Sequence, residues 1–406
     1  MKKVLKTYVE SPLILRIAIG LVIGIVLGVF VPSATFVGVI GNLFVGALKA
    51  IAPLLVFVLV IASLASAGEG IGKRFRTVVI FYLVSTFLAA SAAVVGTFMF
   101  KVTVPLAEAV DKAPPSGLGE VFTTLLNNMV QNPLSSIIGG NYIGVLTWAI
   151  ILGLALRTAG AGTKAMLNDI SGGVSKAVAW VIQLAPFGIM GLVYSSVSEY
   201  GVEIFTDYGK LLAVLVGVML LVALVVDPLM ASLVLKRNAY GLAFRCYRES
   251  GVTAFFTRSS AANIPVNMKL CEKLGLDREF YSVAIPLGAT VNMNGAAITI
   301  TVMALTAAFS QGMSVNILIA ILLSFVATLG AAGASGVAGG SLLLIPMACS
   351  LLGISQDVAM QMVGVGFIIG VVQDSLETAI NSSTDALFCA TAEYSERIKR
   401  GEKVEF

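Results

Sequence analysis

Near the end of the chain, the run Gln373-Asp374-Ser375-Leu376-Glu377-Thr378-Ala379-Ile380-Asn381-Ser382-Ser383-Thr384-Asp385 places Asp374, Thr378, Asn381 and Asp385 at offsets 0, 4, 7 and 11. At 100° per residue these four share a stripe about 60° wide on one helix face. Glu377 adds a third carboxylate to the same stretch. The surrounding sequence is apolar enough for a membrane, where each charge costs at least ~2.5 kcal/mol, so the stripe must face a cavity or a partner. A solvated helix end would account for Asp385 alone, because Asp374 lies well inside the apolar run. Carboxylates, a carboxamide and a hydroxyl on one face suit cation coordination or the binding of a small charged solute. No nucleophile–base pair or metal cluster accompanies them, so an enzyme is not expected. The absence of histidine excludes His-based triads, His metal ligands and His pH switches.

A second polar interruption, Asn292-Met293-Asn294-Gly295-Ala296-Ala297, falls inside another apolar run. Two carboxamides and a glycine at that depth predict unwound backbone with free carbonyls, a glycine packing defect being the plainer alternative. Carbonyl and carboxamide oxygens with one carboxylate suit a hard cation stripped of its water.

The elements that must hold these groups follow from composition. The chain has 406 residues, 58% hydrophobic and 12% charged, with a mean hydropathy of +0.97. A soluble domain carries about 25% charged residues. The pattern is that of an all-α polytopic membrane protein and excludes a nucleic-acid partner, a secreted disulfide scaffold and an ordinary cytosolic enzyme. The four cysteines stand far apart with no CxxC pair. Runs of about 20 apolar residues span a bilayer, and such runs lie at 13–31, 36–67, 77–100, 143–156, 175–197, 211–235, 281–309 and 360–392. A proline-containing loop lies between the third and fourth of these runs, at 103–117. With the N-terminus in the cytoplasm, Lys73, Arg74, Arg76, Arg157, Lys164, Lys236 and Arg237 fall inside, whereas Glu108, Asp111, Glu120, Glu199, Glu203 and Asp207 fall outside.

Two segments break the alternation. Residues 240–270 are interrupted by Arg258-Ser259-Ser260-Ala261-Ala262-Asn263-Ile264-Pro265 and flanked by basic residues at both ends. Residues 317–352 are interrupted by a glycine-, alanine- and serine-rich stretch at 330–340 and carry no basic flank. Each reads as a helix–turn–helix hairpin entering and leaving on one side, the first from inside and the second from outside. Both end in Ile-Pro (Ile264-Pro265, Ile345-Pro346) followed by Leu-Gly-Leu or Leu-Gly-Ile, which makes them an inverted repeat of the kind that marks transporter binding sites. Asp227-Pro228 and Asn132-Pro133 read as helix-end or kink elements. Lys49 is given no role, and no Walker A motif supports coupling to ATP.

The stretches Phe255 to Pro265, Pro286-Leu287-Gly288-Ala289-Thr290-Val291-Asn292-Met293-Asn294-Gly295 and Asp374 to Asp385 resemble the dicarboxylate/amino acid:cation symporter family, the glutamate transporter-like proteins, over nearly the whole chain. The likeness is greatest to its bacterial sodium/serine–threonine symporters. The resemblance implies the glutamate-transporter fold, with eight transmembrane helices, two re-entrant hairpins, inverted repeats and a homotrimer. It implies that residues 1–236 form mainly scaffold and trimerisation helices, with the third and sixth spans packing on the transport part. Residues 237–395 would form the transport core and 396–406 a cytoplasmic tail. The membrane would be the cytoplasmic (inner) membrane, with both termini cytoplasmic.

By matching position, the resemblance implies substrate contacts at Ser260, Val337, Asp374, Glu377, Thr378 and Asn381, with Asp374 on the α-ammonium and Asn381 and Thr378 near the α-carboxylate. It implies sodium as coupling ion. Its ligands would be the Asn381 and Asp385 side chains with Gly288 and Asn292 carbonyls, and at a second site Thr290 with carbonyls near Ala331 and Ala334. Two departures stand out. Acidic-substrate members carry an arginine where this chain has Glu377, which favours a small neutral substrate such as serine or threonine. The family's Asn-Met-Asp-Gly motif reads Asn-Met-Asn-Gly here, so Asn294 lacks a charge at a further sodium site, although Tyr82, Ser85 and Thr86 match its other ligands. One or two coupled sodium ions are expected. Coupling to protons, or a channel on the same polar path, are the competing readings.

Overall fold

In hydrocarbon every backbone N–H and C=O must find a partner within its own segment or in a closed barrel. Helices are the regular structure found among the described residues, which in this computed structural model are 11–66, 72–106, 123, 126–332 and 339–404. In chain order they are α1 (Leu13–Phe30), α2 (Phe36–Ser66), α3 (Gly72–Phe100), α4 (Pro133–Gly139), α5 (Tyr142–Ala155), α6 (Ala161–Gln183) and α7 (Ala185–Tyr200). Then come α8 (Ile204–Leu235), α9 (240–257), α10 (Ser260–Lys273), α11 (Arg278–Val291), α12 (Asn294–Ser310), α13 (Ile317–Ala331), α14 (Ser341–Leu351) and α15 (Gln356–Lys399). Most of the 103–117 loop lies outside the described residues.

Among the described residues, five helical stretches are long and apolar enough to cross a membrane, or six when the bent pair α6–α7 is counted as one. The α1, α5, α13 and α14 helices are apolar but shorter. The span expected at 175–197 is longer and bent, since α6 and α7 meet at 52°. Pro186 at the start of α7 has no N–H to continue the helical ladder.

The breaks expected near the polar interruptions are present. Between α11 and α12, Asn292 (φ −88°, ψ 85°) and Met293 (φ −122°, ψ 53°) leave helical geometry. Between α9 and α10 the turn is made by Arg258, in the left-handed region at φ 51°, ψ 35°. Ser259 then caps α10 by accepting from the Ala262 N–H at 3.2 Å.

Packing sorts the helices into two groups. The α1 helix runs along α7, and α2 packs on α5, α6 and α7. The α1–α7 contact depends on small residues, because a Cβ at Gly24 would come within 2.5 Å of the Met190 carbonyl oxygen. In the second group α3 and α8 pack on α12 and α15, and α15 is further surrounded by α9, α10, α11 and α14. Large apolar side chains such as Phe30, Phe36 and Leu43 remain exposed at the outside of the first group, as suits a lipid-facing or subunit-facing surface.

Candidate functional site: a buried polar path along α15

The stripe expected on α15 is inside the protein. Asp374, Glu377, Thr378, Asn381 and Asp385 are all buried, and the helix continues past them to Lys399, so none sits at a solvated helix end. Their neighbours form four groups along the helix.

The first surrounds Asp374. Its Oδ2 accepts from Arg258 Nε at 2.6 Å and its Oδ1 from the Gly339 N–H at 3.1 Å. The two side chains are 12% and 4% exposed, so this ion pair is largely desolvated. The cavity touching both Arg258 and Asp374 has a volume of about 20 Å³. That is room for a water but not for an amino acid.

The second group is built on Glu377. Its Oε2 accepts from Thr299 Oγ1 at 2.8 Å, Ser341 Oγ at 2.8 Å and Gln373 Nε2 at 2.5 Å. These donors come from α12, α14 and α15, so one carboxylate ties three elements together. The backbones of α12 and α15 approach closely here, since a Cβ at Gly295 would lie 2.7 Å from Glu377 Cα.

The third group joins the α11–α12 break to α15. Asn292 Nδ2 donates to the Asn381 carbonyl at 3.1 Å, Thr384 Oγ1 at 2.8 Å and Asp385 Oδ1 at 2.9 Å. In return the Gly295 N–H donates to Asn381 Oδ1 at 2.7 Å. Asp385 Oδ2 is buried without a hydrogen-bond partner among the described residues. Tyr82 Oη, from α3, donates to the Asp385 carbonyl at 3.2 Å. The Gly288 carbonyl accepts from the Asn292 N–H at 2.9 Å. A Cβ at Gly288 would come within 2.8 Å of Asp385 Oδ1.

The fourth group centres on Asn294. Its Oδ1 accepts from Ser85 Oγ at 3.1 Å and Thr86 Oγ1 at 3.0 Å, and its Nδ2 donates to Asp227 Oδ1 at 3.1 Å.

Other expected site residues are placed differently. Ser260 is buried in the first turn of α10. The Thr378 hydroxyl donates back to the Asp374 carbonyl at 2.8 Å. Thr290 Oγ1 donates to the Leu287 carbonyl at 2.9 Å, and Ala331 is buried in the last turn of α13. Val337 and Ala334 lie outside the described residues.

Asp227 is not at a helix end. It is fully buried inside α8, directly after a π-helical turn at Val222–Val226 and within one continuous span, so the helix-end reading of Asp227-Pro228 does not hold.

Sequence reasoning left out Arg258, Asn263, Asn267, Thr299, Ser341 and Gln373. Asn263 Nδ2 donates to Ser250 Oγ at 2.8 Å and Ser382 Oγ at 2.7 Å, and Asn267 Nδ2 to the Ser382 carbonyl at 2.8 Å, tying α10 to α9 and to α15. The available signal was a polar side chain inside an otherwise apolar run, which Thr299 and Asn263 both carry.

Residues 13–395 match the sodium:dicarboxylate symporter family. The chain belongs to this family. It is 57% identical over 399 residues, 98% of this chain and 93% of the relative, to a protein of Bifidobacterium adolescentis named serine/threonine transporter SstT. Proteins of the same name from Streptococcus agalactiae and Streptococcus thermophilus are 55% and 52% identical, each over 97% of this chain and 99% of the relative. Family and relatives are transporters, and the apolar helices make this a multi-pass membrane protein.

Proposed function

We propose that this protein is a sodium-coupled symporter that imports small neutral amino acids, foremost serine and threonine, by alternating access. The observation that carries the reading is near-full-length identity to relatives named serine/threonine transporters. The site supplies matching chemistry.

Asp374 is the anchor for the substrate's α-ammonium, because a carboxylate so deeply buried requires a cation. In the arrangement described, Arg258 is that cation. Substrate binding then exchanges one positive charge for another, and the first hairpin's tip must move with Arg258. Asn381 and Thr378 would face the α-carboxylate, with Ser260 and Val337 as further substrate contacts. Glu377 disfavours an acidic side chain.

Around Asn381 and Asp385 the candidate ligands are oxygens, the Asn292 amide that now donates to Asp385 Oδ1 having to turn away for an ion, and Asp385 Oδ2 has no hydrogen-bond partner among the described residues. Such a set fits a hard monovalent cation. Asn381, Asp385 and the carbonyls of Gly288 and Asn292 would hold sodium there, and Thr290 with the end of the second hairpin at Ala331 and Ala334 would hold another. One sodium ion entering against ~100 mV releases ~2.3 kcal/mol. A tenfold gradient adds ~1.4 kcal/mol, so a single ion can sustain accumulation of several hundredfold.

The architecture that serves this cycle has eight spans, with the two helix–turn–helix units re-entering from opposite faces. Residues 1–236 supply mainly the scaffold of a homotrimer, residues 237–395 the moving core, and 396–406 a cytoplasmic tail. The protein sits in the cytoplasmic membrane with both termini inside.

The test is radiolabelled L-serine uptake into proteoliposomes under an inward sodium gradient or an inward proton gradient at matched potential. Sodium-driven uptake that excess threonine suppresses supports the reading. Uptake driven by protons alone would replace sodium with a proton relay, and a sodium-insensitive leak would indicate a channel.

A further inference from the structure

Asp227 is fully buried in α8, where the helix passes from its π-helical turn into Pro228. Its Oδ1 accepts from Asn294 Nδ2 at 3.1 Å, and its Oδ2 has no hydrogen-bond partner among the described residues. A buried carboxylate without a positive partner is costly.

On the far side of the Asn294 amide is a set of oxygens. Asn294 Oδ1 accepts from Ser85 Oγ at 3.1 Å and Thr86 Oγ1 at 3.0 Å, and Ser85 Oγ lies 3.3 Å from Asn292 Oδ1. Both hydroxyls also reach the Tyr82 carbonyl, at 3.1 and 2.7 Å. A carboxylate can only accept, so Asp227 obliges Asn294 to turn its NH₂ toward α8 and its oxygen toward Ser85 and Thr86. The hydroxyls can swing their protons outward, which leaves oxygens of Tyr82, Ser85, Thr86, Asn292 and Asn294 facing one another.

We propose that Asp227 supplies the negative charge of a sodium site walled by the Tyr82 carbonyl, Ser85, Thr86, Asn292 and Asn294. This rests on the sodium-symport reading and deepens it. The charge absent at Asn294 has moved one hydrogen bond away, onto α8. Asp227 acts through the Asn294 amide, as the residue that orients and polarises it. The replacement of aspartate by Asn294 therefore does not delete this site, and the coupled ions number at least two.

The experiment is thermal unfolding of the purified full-length protein without amino acid, titrated with NaCl at constant ionic strength against choline chloride. For Asp227→Asn, the sodium concentration giving half the stabilisation rises at least about tenfold, or 1.4 kcal/mol. The exchange variant Asp227→Asn/Asn294→Asp puts the charge on the other partner and restores the midpoint to within about threefold, which a merely structural Asp227 would not produce. An unchanged midpoint in Asp227→Asn overturns the proposal. If that variant does not fold, the exchange variant decides alone: a near-native midpoint supports the proposal and sodium-independent melting overturns it. A wild-type protein that sodium fails to stabilise would instead sink the sodium reading itself.

Discussion

Arg258 Nε donates to Asp374 Oδ2 at 2.6 Å, binding the turn between α9 and α10 to the polar face of α15 across 116 residues of sequence. Arg258 holds left-handed backbone geometry that glycine would adopt without cost, so its side chain is what the position requires. Replacing Arg258 with glycine keeps the turn and removes the guanidinium. The empty carrier then has to move with Asp374 unpaired, at a penalty on the order of 3 kcal/mol. Net serine uptake should fall at least about tenfold while serine–serine exchange, in which the pocket is always filled, stays near wild type. Comparing the two fluxes in one proteoliposome preparation checks this, and an equal loss of both would refute it.

Asp374→Asn should abolish uptake and exchange together, because no neutral group replaces the anionic partner of an ammonium in a desolvated pocket. Arg258 is left unpaired, so some destabilisation accompanies the change. A sodium-dependent melting transition without substrate would show that the variant is folded. Uptake at wild-type rates would remove Asp374 from its assigned role.

Glu377→Gln retains an oxygen that can accept from Thr299, Ser341 and Gln373, so the network joining α12, α14 and α15 survives with its charge gone. Serine uptake should remain within about threefold. Aspartate, repelled by the wild-type carboxylate, should now compete at concentrations about tenfold lower, a difference of 1.4 kcal/mol. Inhibition curves with unlabelled aspartate provide the measurement, and identical curves would argue that Glu377 plays no part in selectivity.

Gly288→Ala brings a methyl group within 2.8 Å of Asp385 Oδ1 and 2.9 Å of Tyr82 Oη. Relieving that clash displaces the carboxylate, at about 1–3 kcal/mol. The expected result is a sodium requirement for uptake raised about tenfold, with serine affinity little changed at saturating sodium. A serine-affinity defect without a sodium effect would place Asp385 outside the cation site.

The polar face of α15 and the break before Asn294 could be read from sequence for a simple reason. A polar residue in an apolar run is costly, and its spacing fixes which side of the helix it occupies. The same reasoning located the turn near Arg258. It misjudged the span near Pro186, where one apolar run conceals a bend of 52° between two helices, since hydropathy records burial but not direction.

Composition determined that this is a membrane protein, and helical periodicity that Asp374, Thr378, Asn381 and Asp385 share one face of a helix. What meets that face was decided by packing. Arg258 reaches Asp374, Thr299 and Ser341 reach Glu377, and Asp227 reaches Asn294 across 67 residues. None of these pairs shares a helix or a repeat spacing. Each depends on how deeply neighbouring helices sit against α12 and α15, which close contacts such as Gly295 on the α15 backbone set. Helical periodicity tells a side chain which way to face, and only the tertiary structure brings it a partner.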